Sequence, residues 1–179
     1  AGIPGTLGGA LAMNAGAFGG ETWNHVLQVE TIDRAGTRRI RTPEDFDIGY
    51  RTVVNKHGAG EWYLGARLKF ERRPQVHADD IRALLERRKQ TQPIGAWSGG
   101  STFVNPPGEH AARLIEAAGL KGLRIGGASV STKHANFILN EGDATAADIE
   151  ALINEVRQTV QRVHGVTLQT EVRIIGEPA

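Results

Sequence analysis

The feature that most constrains the fold is one long amphipathic stretch over residues 145–164. Apolar residues recur on a single helical stripe of it: Ile149, Leu152, Ile153, Val156, Val160 and Val163. Thr145, with Asp148 three residues further on, resembles a helix-capping pair, and Gly165 is a typical stop. The pattern predicts a helix with one apolar face.

Strand patterns accompany this helix along the chain. Residues 26–33 and 37–42 flank the turn Ala35-Gly36 and predict a β-hairpin. A strand is predicted from Trp62 to Phe70, with Trp62, Leu64, Ala66, Leu68 and Phe70 on one face. Further helices are predicted over 78–90 and 110–118, and further strands within 123–131, 135–140 and 166–175. Because helices and strands mix without strict alternation, the predicted fold class is α+β.

A domain boundary is expected near Pro74, since the pattern changes there. The first part is rich in strands, and the second part is predicted to be β-α-β-β-α.

Composition and charge exclude several classes of protein. With 21 basic and 20 acidic residues, the net charge of +1 provides no field for non-specific binding of nucleic acid or an anionic membrane. The absence of cysteine excludes disulfides and thiolate chemistry, and no histidines and carboxylates stand at metal-ligand spacing. No apolar run resembles a membrane span or a signal peptide, so a cytoplasmic protein is expected. Any redox chemistry would require a bound cofactor.

Seven of the 23 glycines lie within the first twenty residues, AGIPGTLGGALAMNAGAFGG. Closely spaced glycines let backbone N–H groups approach a phosphate. However, the spacing matches neither the dinucleotide fingerprint nor a P-loop. Tight turns and close backbone packing are the ordinary explanation of such spacing.

Three polar residues are candidates for chemistry, each with an ordinary alternative. Arg51, in Gly49-Tyr50-Arg51, could clamp a carboxylate or lie solvated at the surface. Ser101 follows two glycines but lacks the context of a nucleophile, so it is either a turn hydroxyl or a proton donor. Glu171 lies on the less apolar side of a predicted strand, where solvent exposure is the ordinary expectation.

Taken in order, these segments resemble one family, the UDP-N-acetylenolpyruvoylglucosamine reductases, also called UDP-N-acetylmuramate dehydrogenases. The matching segments are GIPGTLGGALAMNAGAFGGE (2–21), GYR (49–51), GGSTFVNP (99–106), AGLKGLRIGGASVSTKHANFILN (118–140) and GVTLQTEVRIIGE (165–177). The resemblance extends over essentially the whole chain.

The resemblance implies an NADPH-dependent flavoenzyme of peptidoglycan synthesis and cell-wall biogenesis. Such an enzyme uses FAD to reduce the enolpyruvyl ether of UDP-N-acetylglucosamine to UDP-N-acetylmuramate. Arg51 corresponds to the family arginine that pairs with the substrate carboxylate, and Glu171 to the glutamate that shares this role. Ser101 corresponds to the serine that protonates the enolate-like carbon.

The resemblance also implies binding residues. For the FAD pyrophosphate these are Gly2, Ile3, Pro4, Gly5, Thr6, Gly8, Gly9, Asn14 and Gly16; for the substrate they are Tyr50, Lys89, Gly100 and Asn105. No metal is implied. Val104 stands where the family commonly carries lysine.

In domain terms, the resemblance implies part of an FAD-binding domain of the vanillyl-alcohol-oxidase-like type over 1–74, completed by 166–179. A substrate-binding domain would occupy 75–165.

The family's FAD domain begins upstream of the motifs found here, so the chain alone is expected to bind FAD weakly or not at all. A monomer is expected. Two alternatives stay open: another FAD oxidoreductase with the same type of flavin domain, and a non-catalytic nucleotide-sugar-binding protein.

Overall fold

A computed structural model describes residues 3, 5–58, 60–72 and 77–176. The chain divides into two compact units, Ala1–Leu85 (unit 1) and Glu86–Ala179 (unit 2). Both contain helices and strands, which confirms the predicted α+β class. The predicted boundary at Pro74 lies outside the described residues.

Unit 1 is built mainly from short antiparallel strands. Its elements are α1 (Leu7–Ala12), β1 (Gly16–Ala17), β2 (Gly20–Glu21), β3 (Val26–Asp33), β4 (Arg38–Arg41), β5 (Phe46–Gly49), β6 (Thr52–Asn55) and β7 (Glu61–Leu68). Single 3₁₀ turns, Thr22–His25 and Pro43–Asp45, precede β3 and β5. Strands β4, β3 and β7 form one sheet in that order, and β1–β2 and β5–β6 are separate hairpins. The predicted hairpin around Ala35-Gly36 is therefore confirmed as β3–β4.

The core of unit 1 contains Leu11, Trp23, Val26, Val29 and Phe46. The rings of Trp23 and Phe46 have centroids 4.8 Å apart, a separation at which aromatic pairs are favourable.

Strand β7 confirms a predicted strand but not its predicted apolar face. Tyr63, Ala66 and Leu68 pack against the core, whereas Trp62 and Leu64 are 50% and 48% exposed. The register between β3 and β7 shifts between Glu30 and Thr31. A β-bulge of this kind inserts one residue and turns the side chains beyond it to the opposite face.

One carboxylate on this sheet is enclosed by donors. Glu61, whose side chain is 12% exposed, accepts hydrogen bonds from Thr31 Oγ1 at 2.8 Å, Arg41 Nη2 at 2.7 Å and Asn55 Nδ2 at 3.1 Å. These donors, Arg41 foremost, lower the pKa of Glu61 to about 2. The carboxylate therefore remains charged and joins β3, β4, β6 and β7.

Unit 2 is a four-stranded antiparallel sheet with helices. Its strands are β8 (Ser98–Ser101), β9 (Arg124–Ile125), β10 (Ala128–Val130) and β11 (Phe137–Asn140), in the order β8-β11-β10-β9. Helices α3 (Ala111–Ala117) and α4 (Ala146–His164) follow β8 and β11, and α2 (Ala78–Thr91) crosses the boundary between the units.

The segment predicted as one strand over 123–131 is two strands, β9 and β10. Gly126, with φ of +53°, and Gly127 form the turn between them. A Cβ on Gly127 would lie 2.4 Å from the backbone nitrogen of Ala144. Close approach of two backbones, and not only the turn, therefore requires glycine here.

Helix α4 confirms the long predicted helix and its ends. Thr145 accepts from the Asp148 amide at 3.1 Å, while Asp148 accepts from the Thr145 amide at 2.9 Å. Gly165 ends the helix with φ of +69°. The predicted stripe packs on the core around Phe103 and Ile115, except that Val163 is 53% exposed.

The last segment differs from its prediction. Instead of a strand over 166–175, the described residues show an isolated bridge between Phe103 and Thr170. The segment was expected to complete the first domain, yet Leu168 is 1% exposed within the core of unit 2. Among the described residues, none of the helices combines the length and apolar character that crossing a membrane needs.

Candidate functional site

Arg51 lies at the tip of the β5–β6 hairpin in unit 1. Gly49 pairs with Thr52, so Tyr50 and Arg51 form a two-residue turn. Arg51 has φ of +54°, at a turn position that normally favours glycine or asparagine. Its guanidinium carbon lies 5.0 Å from the centre of the Tyr50 ring, within cation–π range.

Asn14 lies beneath this turn and is 1% exposed. Its Nδ2 donates to Glu21 Oε2 at 2.8 Å and to the Gly49 carbonyl at 3.0 Å, and its Oδ1 accepts from the Trp23 amide at 3.1 Å. Its own carbonyl accepts from Arg51 Nη1 at 3.4 Å. The side-chain amide of Asn14 makes three hydrogen bonds within the protein, and its contact with the cofactor stays a prediction.

A cleft of about 400 Å³ lies beside the glycine-rich opening, within unit 1. Three of the residues predicted to bind the cofactor line it, namely Ile3, Gly5 and Thr6. The cleft is also lined by His25 and Phe70, whose rings have centroids 5.0 Å apart.

The other predicted cofactor residues have local structural roles or lie outside the described residues. Gly8 and Gly9 belong to α1, whose first turn is capped by Thr6 Oγ1 accepting from the Gly9 amide at 3.1 Å. A Cβ on Gly16 would lie 2.4 Å from the Gly20 carbonyl oxygen, so the β1–β2 hairpin requires glycine there. Gly2 and Pro4 fall outside the described residues.

Ser101 and Glu171 are brought close in the backbone of unit 2. Ser101 is the last residue of β8 and pairs with Phe137 of β11. The next residue, Thr102, accepts a hydrogen bond from the Glu171 amide through its carbonyl, at 2.8 Å. The Ser101 strand and the Glu171 segment are thus neighbours, and both side chains are partly exposed.

The predicted substrate-binding residues lie on different elements, three of them in unit 2 and Tyr50 in unit 1. Gly100 directly precedes Ser101 with φ of +82°, which favours glycine. Asn105 Oδ1 accepts from the Ala111 amide at the start of α3, at 3.0 Å. The Lys89 carbonyl, near the end of α2, accepts from Lys133 Nζ at 2.9 Å. Tyr50 is 46% exposed beneath the Arg51 guanidinium.

Asn136 is a buried polar residue for which the sequence analysis assigned no function. It is 3% exposed and binds the backbone of Phe103 through both ends of its amide. The available signal was an asparagine placed directly before the apolar run Phe137-Ile138-Leu139. Among the described residues, no group of three or more histidine, aspartate or glutamate side chains is arranged to hold a metal.

The fold is a two-unit α+β architecture, and comparison with known proteins shows which proteins the chain resembles. The family described as "UDP-N-acetylenolpyruvoylglucosamine reductase, C-terminal domain" matches residues 92–175. The chain is 64% identical over 178 residues to the UDP-N-acetylenolpyruvoylglucosamine reductase of Alkalilimnicola ehrlichii, covering 99% of this chain and 59% of that protein. With the Methylococcus capsulatus reductase it shares 58% identity, covering 99% and 58%.

A solved structure agrees with these matches. The UDP-N-acetylenolpyruvylglucosamine reductase of Thermus caldophilus superimposes with a TM-score of 0.79 at 36% identity, covering 96% of this chain and 61% of that one. Residues 92–175 therefore match the C-terminal domain family, and the chain as a whole is similar to the reductases named above. It spans a little under three fifths of the length of the two curated relatives above.

Proposed function

We propose that this chain acts in the NADPH-dependent, FAD-mediated reduction of UDP-N-acetylglucosamine enolpyruvate to UDP-N-acetylmuramate, a step of peptidoglycan precursor synthesis. The support is the 64% identity to a reductase of that substrate over nearly the whole chain. The geometric observation that carries the proposal is the hydrogen bond from the Glu171 amide to the Thr102 carbonyl, next to Ser101. A cytoplasmic location and a monomeric state belong to the same proposal.

The residues beside the glycine-rich opening suit part of a flavin cofactor. Gly5 has φ of +96° and open space around its Cβ position, so a ligand can approach its backbone closely. The cleft of about 400 Å³ is large enough for a segment of FAD, such as the pyrophosphate, but not for the whole molecule. When bound, FAD supplies the hydride that it has taken from NADPH. Ile3, Gly5 and Thr6 would hold it.

The chain's own residues would stabilise negative charge on the substrate and supply its proton. Hydride addition at the terminal carbon of the enolpyruvyl group leaves negative charge at the adjacent carbon and its carboxylate. In this proposal the Arg51 guanidinium pairs with the carboxylate and stabilises that charge, and Glu171 shares the role. The Ser101 hydroxyl gives its proton to the adjacent carbon, because a positioned hydroxyl can protonate so basic a centre.

We propose that residues 1–74, which form most of unit 1, contribute to the flavin site and supply Arg51 and Tyr50. Unit 2 would bind the nucleotide sugar, with Asn105 and Lys89 near its diphosphate.

The test uses a completed reductase, in which this chain replaces the matched part of the Alkalilimnicola ehrlichii protein. Mixed with NADPH and UDP-N-acetylglucosamine enolpyruvate, it should oxidise NADPH and yield a product heavier by two hydrogens in the mass spectrum. Binding of the nucleotide sugar without NADPH oxidation would contradict the proposal and favour a non-catalytic protein. Oxidation of NADPH with no reduced sugar product would favour another flavin oxidoreductase.

A further inference from the structure

Asn136 makes three hydrogen bonds to the two residues that follow Ser101. Its carbonyl accepts from the Thr102 amide at 2.8 Å, its Oδ1 accepts from the Phe103 amide at 2.9 Å, and its Nδ2 donates to the Phe103 carbonyl at 2.8 Å. The side chain thus satisfies both backbone groups of one buried residue.

These hydrogen bonds lie where the regular pairing of β8 with β11 ends. β8 stops at Ser101, and its pairing with β11 is irregular between Phe137 and Leu139. Phe103 is 1% exposed, so its N–H and carbonyl need partners inside the protein. The Asn136 amide provides them as a neighbouring strand would.

The opposite edge of the same segment holds Glu171. The Thr102 carbonyl accepts from the Glu171 amide at 2.8 Å, and the Val104 amide donates to the Gln169 carbonyl at 2.9 Å. Residues 102–104 therefore lie between Asn136 on one edge and residues 169–171 on the other.

We propose that Asn136 is a positioning residue that fixes Ser101 and Glu171 relative to each other. The inference rests on the proposed function, since it concerns the proton donor and its carboxylate partner. Asn136 acts through the backbone of residues 102–103 and does not itself touch the substrate. A displacement of about 1 Å at such a site can slow the chemical step about 100-fold.

The informative variant is Asn136→Asp in the completed reductase. Aspartate keeps the size of the side chain and the acceptor for the Phe103 amide, but it places an oxygen against the Phe103 carbonyl where Nδ2 donated. In stopped-flow experiments, reoxidation of the reduced flavin by UDP-N-acetylglucosamine enolpyruvate should slow about 100-fold. Reduction of the flavin by NADPH should stay at the unsubstituted rate, because that half-reaction does not use Ser101.

Controls separate positioning from general loss of stability. Val160→Ala truncates a fully buried side chain of α4 in the core of unit 2, away from the hydrogen bonds of Asn136 along the chain; it should leave both half-reactions unchanged. Asn136→Ser is the milder replacement if Asn136→Asp does not fold, with the same selective slowing expected. Equal slowing of both half-reactions, no slowing of either, or selective slowing by Val160→Ala would overturn the inference.

Ser101→Ala, measured in parallel, distinguishes failure of the positioning inference from failure of the proposed proton donor. If Ser101→Ala slows reoxidation and neither Asn136 variant does, the positioning role alone is wrong. If Ser101→Ala reoxidises at the unsubstituted rate, the proton-donor role fails, and the positioning inference fails with it.

Discussion

At the scale of single residues, the backbone of Arg51 has a left-handed conformation that is costly for a residue with a Cβ. An arginine with φ of +54° is uncommon, and a left-handed conformation costs a residue with a Cβ about 1–2 kcal/mol. Such residues persist where their surroundings fix them, and they cluster at functional sites. The hydrogen bonds of Asn14 to the Gly49 carbonyl and of Arg51 to the Asn14 carbonyl provide that constraint.

This strain predicts that the Arg51→Gly variant is more stable than the Arg51→Ala variant. Arg51→Gly relieves the backbone cost, whereas Arg51→Ala keeps it, so the glycine variant should be more stable by about 1 kcal/mol. Urea unfolding measures the difference. In the completed reductase both variants should lose at least about 100-fold in kcat/KM, because neither carries the guanidinium. An alanine variant as stable as the glycine variant would show that the turn is not strained.

Glu61 makes unit 1 sensitive to acid. Its pKa is about 2 in the folded protein, below the ordinary 4.5, so its contribution is complete above about pH 4.5 and is lost as the pH falls toward 2. Glu61→Gln should lower the free energy of unfolding at pH 7 by about 1–3 kcal/mol. The difference should shrink when the urea midpoints are measured at pH 3.

Glu30→Gln is the matched control, on the same sheet. The Glu30 side chain is 39% exposed and pairs with Arg38 at 3.5 Å, so its replacement should change stability by less than about 1 kcal/mol. A Glu61→Gln effect as small as that of Glu30→Gln would contradict the enclosed role of Glu61.

Residues that a sequence motif can indicate differ in a physical way from residues whose contacts only the fold creates. Arg51, Ser101 and Glu171 lie in local motifs that can be read along the chain. Asn14 and Asn136 act through partners 35 and 33 residues away, Gly49 and Phe103. No local pattern encodes such a pairing, because only the folded chain brings the two backbones together.

At the scale of elements, the hydrophobic periodicity predicted where a helix or strand lies better than which of its faces is buried. Helix α4 was predictable because its stripe, cap and terminal glycine agree. The apolar face of β7 was not, since one bulge opposite Glu30 and Thr31 reverses the alternation that the sequence displays. Residues 166–175 alternate as a strand would, yet they are held by a few backbone bonds to residues 102–104.

The β9–β10 turn gives a prediction at this scale. Gly127→Ala would place a Cβ 2.4 Å from the Ala144 backbone nitrogen, so the turn and the start of α4 must separate. We expect a loss of about 3 kcal/mol in the free energy of unfolding, measured by urea denaturation.

Gly65→Ala is the control for that variant. Gly65 lies in β7 with open space at its Cβ position, and alanine there should be neutral within about 1 kcal/mol. Equal effects of the two substitutions would show that the close approach at Gly127 is not a constraint.

At the scale of the whole molecule, the two units carry different parts of the proposed chemistry. Arg51 and the cleft belong to unit 1, and Ser101 and Glu171 belong to unit 2. The units divide between Leu85 and Glu86, whereas a boundary was expected near Pro74. The place of residues 166–176 in unit 2 was not predictable, because the burial of Leu168 depends on tertiary packing.

The size of the cleft predicts how the chain handles flavin. About 400 Å³ lies at the lower end of the range for small-molecule sites, and FAD is larger than the ligands such sites enclose. The 179-residue chain should therefore lose FAD during gel filtration, whereas the completed reductase should keep it, as judged by flavin absorbance at about 450 nm. Stoichiometric flavin on the chain alone would contradict this prediction.

The most direct test of the central claim is the reoxidation of flavin in a Ser101→Ala variant of the completed reductase. With NADPH alone, its flavin should be reduced at the unsubstituted rate. On addition of UDP-N-acetylglucosamine enolpyruvate, reoxidation should be at least about 100-fold slower, since the carbon that takes up the proton has lost its donor. Reoxidation at the unsubstituted rate would contradict the claim that Ser101 supplies this proton.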